Sequence, residues 1–161
     1  MIPIPAQARG DSPVVHQTLW TLAALWFGII LIGPIVQVEA IYTFFSAICH
    51  QLSERSWHLD GHALPVCIRC ASIYFGFLLA LTLRFRARVG FLRFALAAMA
   101  VEWVLARIWF DWEPTRAVSG LMLGLAAAAF VEAGVTELLG QRLPRPRTGQ
   151  SGRSHGIETV S

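Results

Sequence analysis

Residues 19–38 read LWTLAALWFGIILIGPIVQV, twenty positions without a charge and apolar apart from Thr21 and Gln37. A helix of that length, at about 1.5 Å of rise per residue, covers the ~30 Å hydrocarbon layer of a bilayer, which makes this stretch a first candidate span. The rest of the chain agrees with it. Of 161 residues 55% are hydrophobic and 14% charged, and mean hydropathy is +0.56, a balance that belongs to membrane proteins. Val38-Glu39-Ala40 has the small-residue spacing of a leader cleavage site. The apolar run is longer than a leader core, however, and only Arg9 precedes it, so an uncleaved anchor is expected.

Three further apolar runs lie at about 66–83, 89–110 and 117–139. The expected fold is an all-α membrane protein: a bundle of four transmembrane helices with a short interfacial or re-entrant helix after the first span. That short helix is placed at 41–48 (IYTFFSAI), too short to cross, within an outer loop 39–65. Residues 1–17 read as a flexible N-terminal tail. Residues 18–139 form the membrane domain, and 140–161, rich in Pro, Gly and Ser, read as a disordered C-terminal tail. Gly120, Gly124 and Ala128 recur every fourth residue on the last span, as Gly76 and Ala80 do on the second, a spacing that lets helix backbones approach closely.

The basic side chains are thirteen arginines with no lysine, against ten acidic residues, for a net charge of +3. If both termini share a side with the Arg84, Arg86 and Arg88 turn, that side also holds Arg9, Arg142, Arg145, Arg147 and Arg153. The other side has Arg55 and Arg116, with Arg69 at the boundary. Arginine-rich segments stay cytoplasmic, so both termini are expected inside, with loop 39–65 and the DWEPTR loop (111–116) outside. The partner implied is the lipid bilayer. Orientation accounts for the basic excess, and no nucleic acid is called for.

The outer loop carries the chemistry. ICHQLSERSWHLDGHALPVCIRC (48–70) holds all three cysteines and three of the five histidines. Cys67 and Cys70, three apart at a helix start, share a face about 5 Å apart and can bind one ion or bond to each other. The positive helix end and Arg69 favour thiolate, above all at Cys67. Cys49 and His50 complete a three-Cys, one-His set suited to a transition metal, zinc first. Neighbours in sequence seldom ligate the same ion, so one of Cys49 and His50 stands beside the ion or acts on a substrate. Buried free cysteines as small hydrophobes are the plain alternative, which suits a scattered trio better than this spacing. His58 and His62 read as solvated loop residues.

Arg55, Arg69 and Arg116 fall on the same side and suit an anionic ligand, a carboxylate, phosphate or quinone-type oxygen, with contact to lipid headgroups as the bland alternative. Ionisable residues within spans call for partners. Arg107 reaches Asp111 at i+4, and Arg93 matches Glu132 in depth. Glu102 reads equally as a proton carrier or as a hydrogen-bonded packing residue. Glu54, Glu102 and Asp111 are the candidate catalytic carboxylates if a metal leaves a coordination position open. Three functions follow: a metal-binding membrane protein; a thiol–disulfide oxidoreductase with Cys67 attacking and Cys70 or Cys49 resolving, with quinone as cofactor under this reading only; or a structural subunit whose loop is stapled by metal.

Cys49-His50-Gln51, Glu54-Arg55-Ser56-Trp57, Pro65-Val66-Cys67-Ile68-Arg69-Cys70 with Ile73-Tyr74-x-Gly76, and Arg116-x-x-Ser119-Gly120 with Gly124 resemble the signature of a prokaryotic membrane-protein family, domain of unknown function 2085. The resemblance spans about residues 40–130, with Ser72 where that pattern has glycine. It implies a multi-pass membrane protein and no particular activity, and the location expected for the chain is the inner (cytoplasmic) membrane. The layout is also similar to that of bacterial quinone-coupled disulfide-generating membrane proteins. The DWEPTR loop has no cysteine, so that likeness is one of topology alone.

Overall fold

A computed structural model describes residues 12–108 and 112–142. Helix α1 runs over Pro13–Val36, starting six residues before the apolar run because Pro13 is preset for the first helical turn, where its missing N–H costs nothing. It ends where Gln37 turns left-handed (φ 52°) and returns its N–H to the Gly33 carbonyl. Leu22, Leu25, Ile32 and Ile35 stay exposed along it while Ile30, Gly33 and Pro34 are buried. An apolar exterior of this kind is what lipid contact requires.

Helix α2, Glu39–Ser46, begins two residues ahead of the short helix expected at 41–48. Glu39 in its first turn complements the positive helix end. A single 3-10 turn follows at Ser53–Arg55, then a two-residue hairpin, β1 His58–Leu59 and β2 His62–Ala63, with His58 opposite Ala63 and Leu59 opposite His62. The sequence reading took Gly61 as a turn but not the strands. Asp60 and Gly61 both have positive φ (52° and 81°), as an Asp-Gly two-residue hairpin turn needs.

Helix α3 covers Ile68–Thr82. It is shorter than the span expected over 66–83, because Cys67 caps one end and the left-handed Arg84 (φ 50°) closes the other, with the Phe85 N–H returned to the Ala80 carbonyl. Helices α4 (Val89–Ile108) and α5 (Glu113–Arg142) complete the fold. Among the described residues three helices, α1, α4 and α5 through Leu139, are long and apolar enough to cross a membrane, and α3 is a shorter apolar helix beside them. The sequence reading counted four.

The bundle is built on α3. It lies against α5 with almost no side chain between them: a Cβ on Gly120 would come 2.6 Å from the Arg69 carbonyl oxygen, and one on Gly124 would meet the Ile73 carbonyl and come 2.9 Å from Phe77 N. The small-residue stripe read from the sequence is thus a backbone-to-backbone seam. Helix α1 flanks α3, with Trp20 Nε1 donating to Thr82 Oγ1 at 3.0 Å. Helix α4 buries Ala95 and Glu102, seven residues apart and so on one face. These contacts put the α1 C-terminus, the α3 and α5 N-termini and the α4 C-terminus at one end of the bundle.

At the opposite end His16 Nδ1 and Glu132 Oε1 are 2.8 Å apart, joining α1 to α5. Glu132 therefore has His16 where the sequence reading offered Arg93. The contact is part-buried and spans the first and last helices. We expect His16→Ala to lower stability in detergent by about 1 kcal/mol, read as a fall in melting temperature that Arg93→Ala does not reproduce.

Candidate metal centre

The loop between α2 and α3 brings the three cysteines together because Gln51 holds it closed. Gln51 adopts φ 48°, and its side-chain amide donates to the Tyr42 carbonyl at 2.6 Å and to the Pro65 carbonyl at 2.9 Å. Tyr42 in turn donates its hydroxyl to the Ala63 carbonyl at 2.9 Å, and the Gln37 amide meets His62 Nε2 at 2.7 Å. Cys49 is thereby laid against the start of α3. The Cys67 backbone N–H donates to Cys49 Sγ at 3.2 Å.

The Sγ atoms of Cys49, Cys67 and Cys70 all lie within 4.8 Å of one another, and all three are free thiols. With metal–sulfur bonds of about 2.3 Å, a tetrahedral site needs its sulfurs only ~3.8 Å apart, so a small inward movement closes the triangle on an ion. Cys49 is buried among Ile30, Phe45, Leu64, Val66 and Ala71, with Trp26, Tyr74 and the other two cysteines packed alongside. Trp26 meets Phe44, Phe45 and Tyr74 edge to face, with ring centroids 5.4 to 6.0 Å apart. An apolar floor of this kind strengthens electrostatic attraction between sulfur and any cation placed there.

Cys67 is the acidic thiol of the three. A hydrogen bond from the Cys70 thiol, helped by the backbone N–H groups of Cys70 and Arg69 and by the Cys49 thiol and opposed by burial, holds it down to about 5. It caps α3 from just outside the helix, where unpaired N–H groups favour a thiolate.

Arg69 and Arg116 converge beside the thiols on one carboxylate, for which the sequence names no partner. Glu102, 9% exposed on α4, takes a hydrogen bond on Oε2 from Arg69 Nη2. Its other oxygen, Oε1, is 4.0 Å from Arg116 Nε. Arg116 also lies within electrostatic reach of Arg55 and Cys67. Two guanidiniums thus share one buried carboxylate next to the cysteine cluster.

Other candidates stand apart from the thiols. His50 follows Cys49 but is exposed, as are Glu54 and Arg55 on the 3-10 turn and His58 and His62 on the hairpin. Asp111 lies outside the described residues. Arg107, paired with it in the sequence reading, stands over the Trp103 ring at 5.4 Å. What the sequence reading missed is the role of Gln51, whose place beside Cys49-His50 was the available signal, and the reach of Arg69 across to α4.

Two archaeal proteins, both described as uncharacterized, are similar to part of the chain. One, from Methanocaldococcus jannaschii, is 44% identical over 41 residues, covering 26% of this chain and 26% of its own. Another, from Methanothermobacter thermautotrophicus, is 50% identical over 32 residues, covering 20% of this chain and 29% of its own. The chain thus spans between a quarter and a third of the curated relatives it matches. No solved structure matches it. Residues 49–130, half of the 161-residue chain and containing the thiols, Arg69, Arg116 and Glu102, match the predicted membrane protein family DUF2085, and the chain belongs to that family.

Proposed function

We propose that this is a four-span protein of the inner membrane, both termini cytoplasmic, that holds a thiophilic transition metal on Cys49, Cys67 and Cys70 at its outer end. Zinc is the first candidate: it prefers thiolate and imidazole, needs no redox partner, and takes three or four protein ligands. The observation that carries the reading is the triangle of three thiols within 4.8 Å. His50, exposed and next in sequence to Cys49, is the side chain proposed to swing in to the fourth position. A divalent ion on three thiolates carries one net negative charge, and the excess positive charge of Arg69 and Arg116 over Glu102 offsets it. The same excess suits an anionic ligand approaching the ion, which is the role proposed for Arg55, Arg69 and Arg116.

The Cys67–Cys70 spacing and the acidity of Cys67 favour one competing reading, a thiol–disulfide exchanger. Bound metal and free thiols, measured together on protein purified without reductant, separate the two. One metal per chain with three titratable thiols after unfolding in chelator supports the centre. No metal with a single thiol overturns it in favour of a Cys67–Cys70 disulfide. Cys67→Ser is expected to weaken metal binding by more than ~100-fold, since loss of outlying partners alone costs ~10–100-fold. A comparable loss in His50→Ala makes His50 the fourth ligand; retention leaves that position open for a substrate.

A further inference from the structure

We infer that the groove between α4 and α5 is a second binding site, separate from the thiols, for an apolar molecule headed by a neutral hydroxyl group. The groove encloses about 310 Å³ between the last turns of α4 and the first turns of α5. Its walls are Ala98, Trp112, Pro114, Val118 and Met122, and Glu102 lines it as the charged residue. Trp112, Pro114 and Val118 are exposed, so the groove opens to the outside of the bundle.

The chemistry of the head group follows from what Glu102 lacks. Its Oε1 is buried and has no hydrogen-bond partner among the described residues, the 4.0 Å to Arg116 Nε being too long for one. A buried carboxylate oxygen without a donor is costly, and something is expected to supply one. The two hydroxyls in the groove are spent on their own helix: Thr115 Oγ1 donates to the Trp112 carbonyl at 2.8 Å and Ser119 Oγ to the Arg116 carbonyl at 3.2 Å.

A cation is disfavoured by the guanidiniums of Arg69 and Arg116, and an anion by the carboxylate oxygen it would have to face. A neutral hydroxyl satisfies both. It donates its proton to Oε1 while its own oxygen, turned to the arginine side, bridges the gap. A lone water could do the same at the polar end, but its share of volume is only about 30 Å³. The remaining apolar length calls for a hydrocarbon tail, and lipid alcohols and prenyl hydroquinones both have this form.

The test uses the full chain in detergent with a long-chain alcohol bearing a photoreactive diazirine in its tail, alongside its methyl ether. The ether keeps the tail and loses the donor. Peptide mapping should place the alcohol's label on 98–102 and 112–122, with the ether labelling there roughly tenfold less, the value of a hydrogen bond to a buried charged group. Val118→Trp, which fills the groove without touching the ion pair, should abolish the label. Glu102→Gln, which keeps the side-chain shape, should narrow the difference between alcohol and ether. Equal labelling by alcohol and ether, or label outside these segments, overturns the proposal and leaves water as the partner of Oε1. An unlabelled prenyl alcohol and an unlabelled prenyl hydroquinone are then used as competitors. The more effective one identifies the source of the hydroxyl, and failure of both also overturns it.

Discussion

Gly124→Ala is expected to unfold in detergent well below the parent protein, while Gly134→Ala, on the same helix ten residues on, is expected to match or exceed it. The reason is local. The new methyl at 124 meets the Ile73 carbonyl and comes 2.9 Å from the Phe77 nitrogen, both backbone atoms of α3 that cannot rotate away. At 134 nothing lies within 4 Å. Overpacking of a tight contact costs about 1–3 kcal/mol, and position 124 belongs at the upper end because the obstruction is main chain. Alanine at 134 instead gains roughly 1 kcal/mol of helix propensity. The damage at 124 should also reach the thiols. Gly120, one turn away, rests on the Arg69 carbonyl between Cys67 and Cys70, so a shift of α3 off α5 moves Cys67 and Cys70 relative to Cys49. Loss of metal uptake in Gly124→Ala, with uptake intact in Gly134→Ala, would tie the seam to the centre. Equal melting temperatures for the two variants would refute it.

Glu102→Leu should be the most damaging single change in α4. It removes the carboxylate to which Arg69 donates and beside which Arg116 Nε lies at 4.0 Å. Removing one member of a buried ion pair costs about 3–5 kcal/mol. The triple change Glu102→Leu, Arg69→Leu, Arg116→Met should recover part of that loss, because the penalty at Arg69 is that of uncompensated charge rather than of missing packing. Chemical unfolding of the single and triple variants reads this directly. A triple variant no more stable than the single one would mean that the carboxylate acts by some other route. Leu96→Ala, an exposed position on the same helix, is the control and should be near neutral.

Much of this was visible in the sequence. Apolar runs identify α1, α4 and α5 through composition alone, and the four-residue recurrence of Gly120 and Gly124 identifies the seam because small residues at that spacing have few other uses. The window 48–70 identifies the thiols, since three cysteines crowd into it. Helix ends were less legible. The close of α3 depends on Arg84 entering the left-handed region, which its residue type does not announce. The Arg69–Glu102 bond and the His16–Glu132 contact were hidden for a different reason. Each joins residues on separate helices, and the rotation of one helix about its axis relative to another is set by packing that no single segment encodes.

The length of α3 has a mechanical consequence. Fifteen residues rise about 22 Å, some 8 Å less than the hydrocarbon layer that its longer neighbours can span. For α3 to cross beside them the bilayer must thin at that point, or the chain beyond the helix must sink below the headgroups. Leu52, Trp57 and Leu59, exposed on the loop that carries Cys49, give that loop the oily surface that sinking requires. The thiols would then sit in a dimple of the membrane, reached from the side by molecules dissolved in lipid as readily as from above by those dissolved in water.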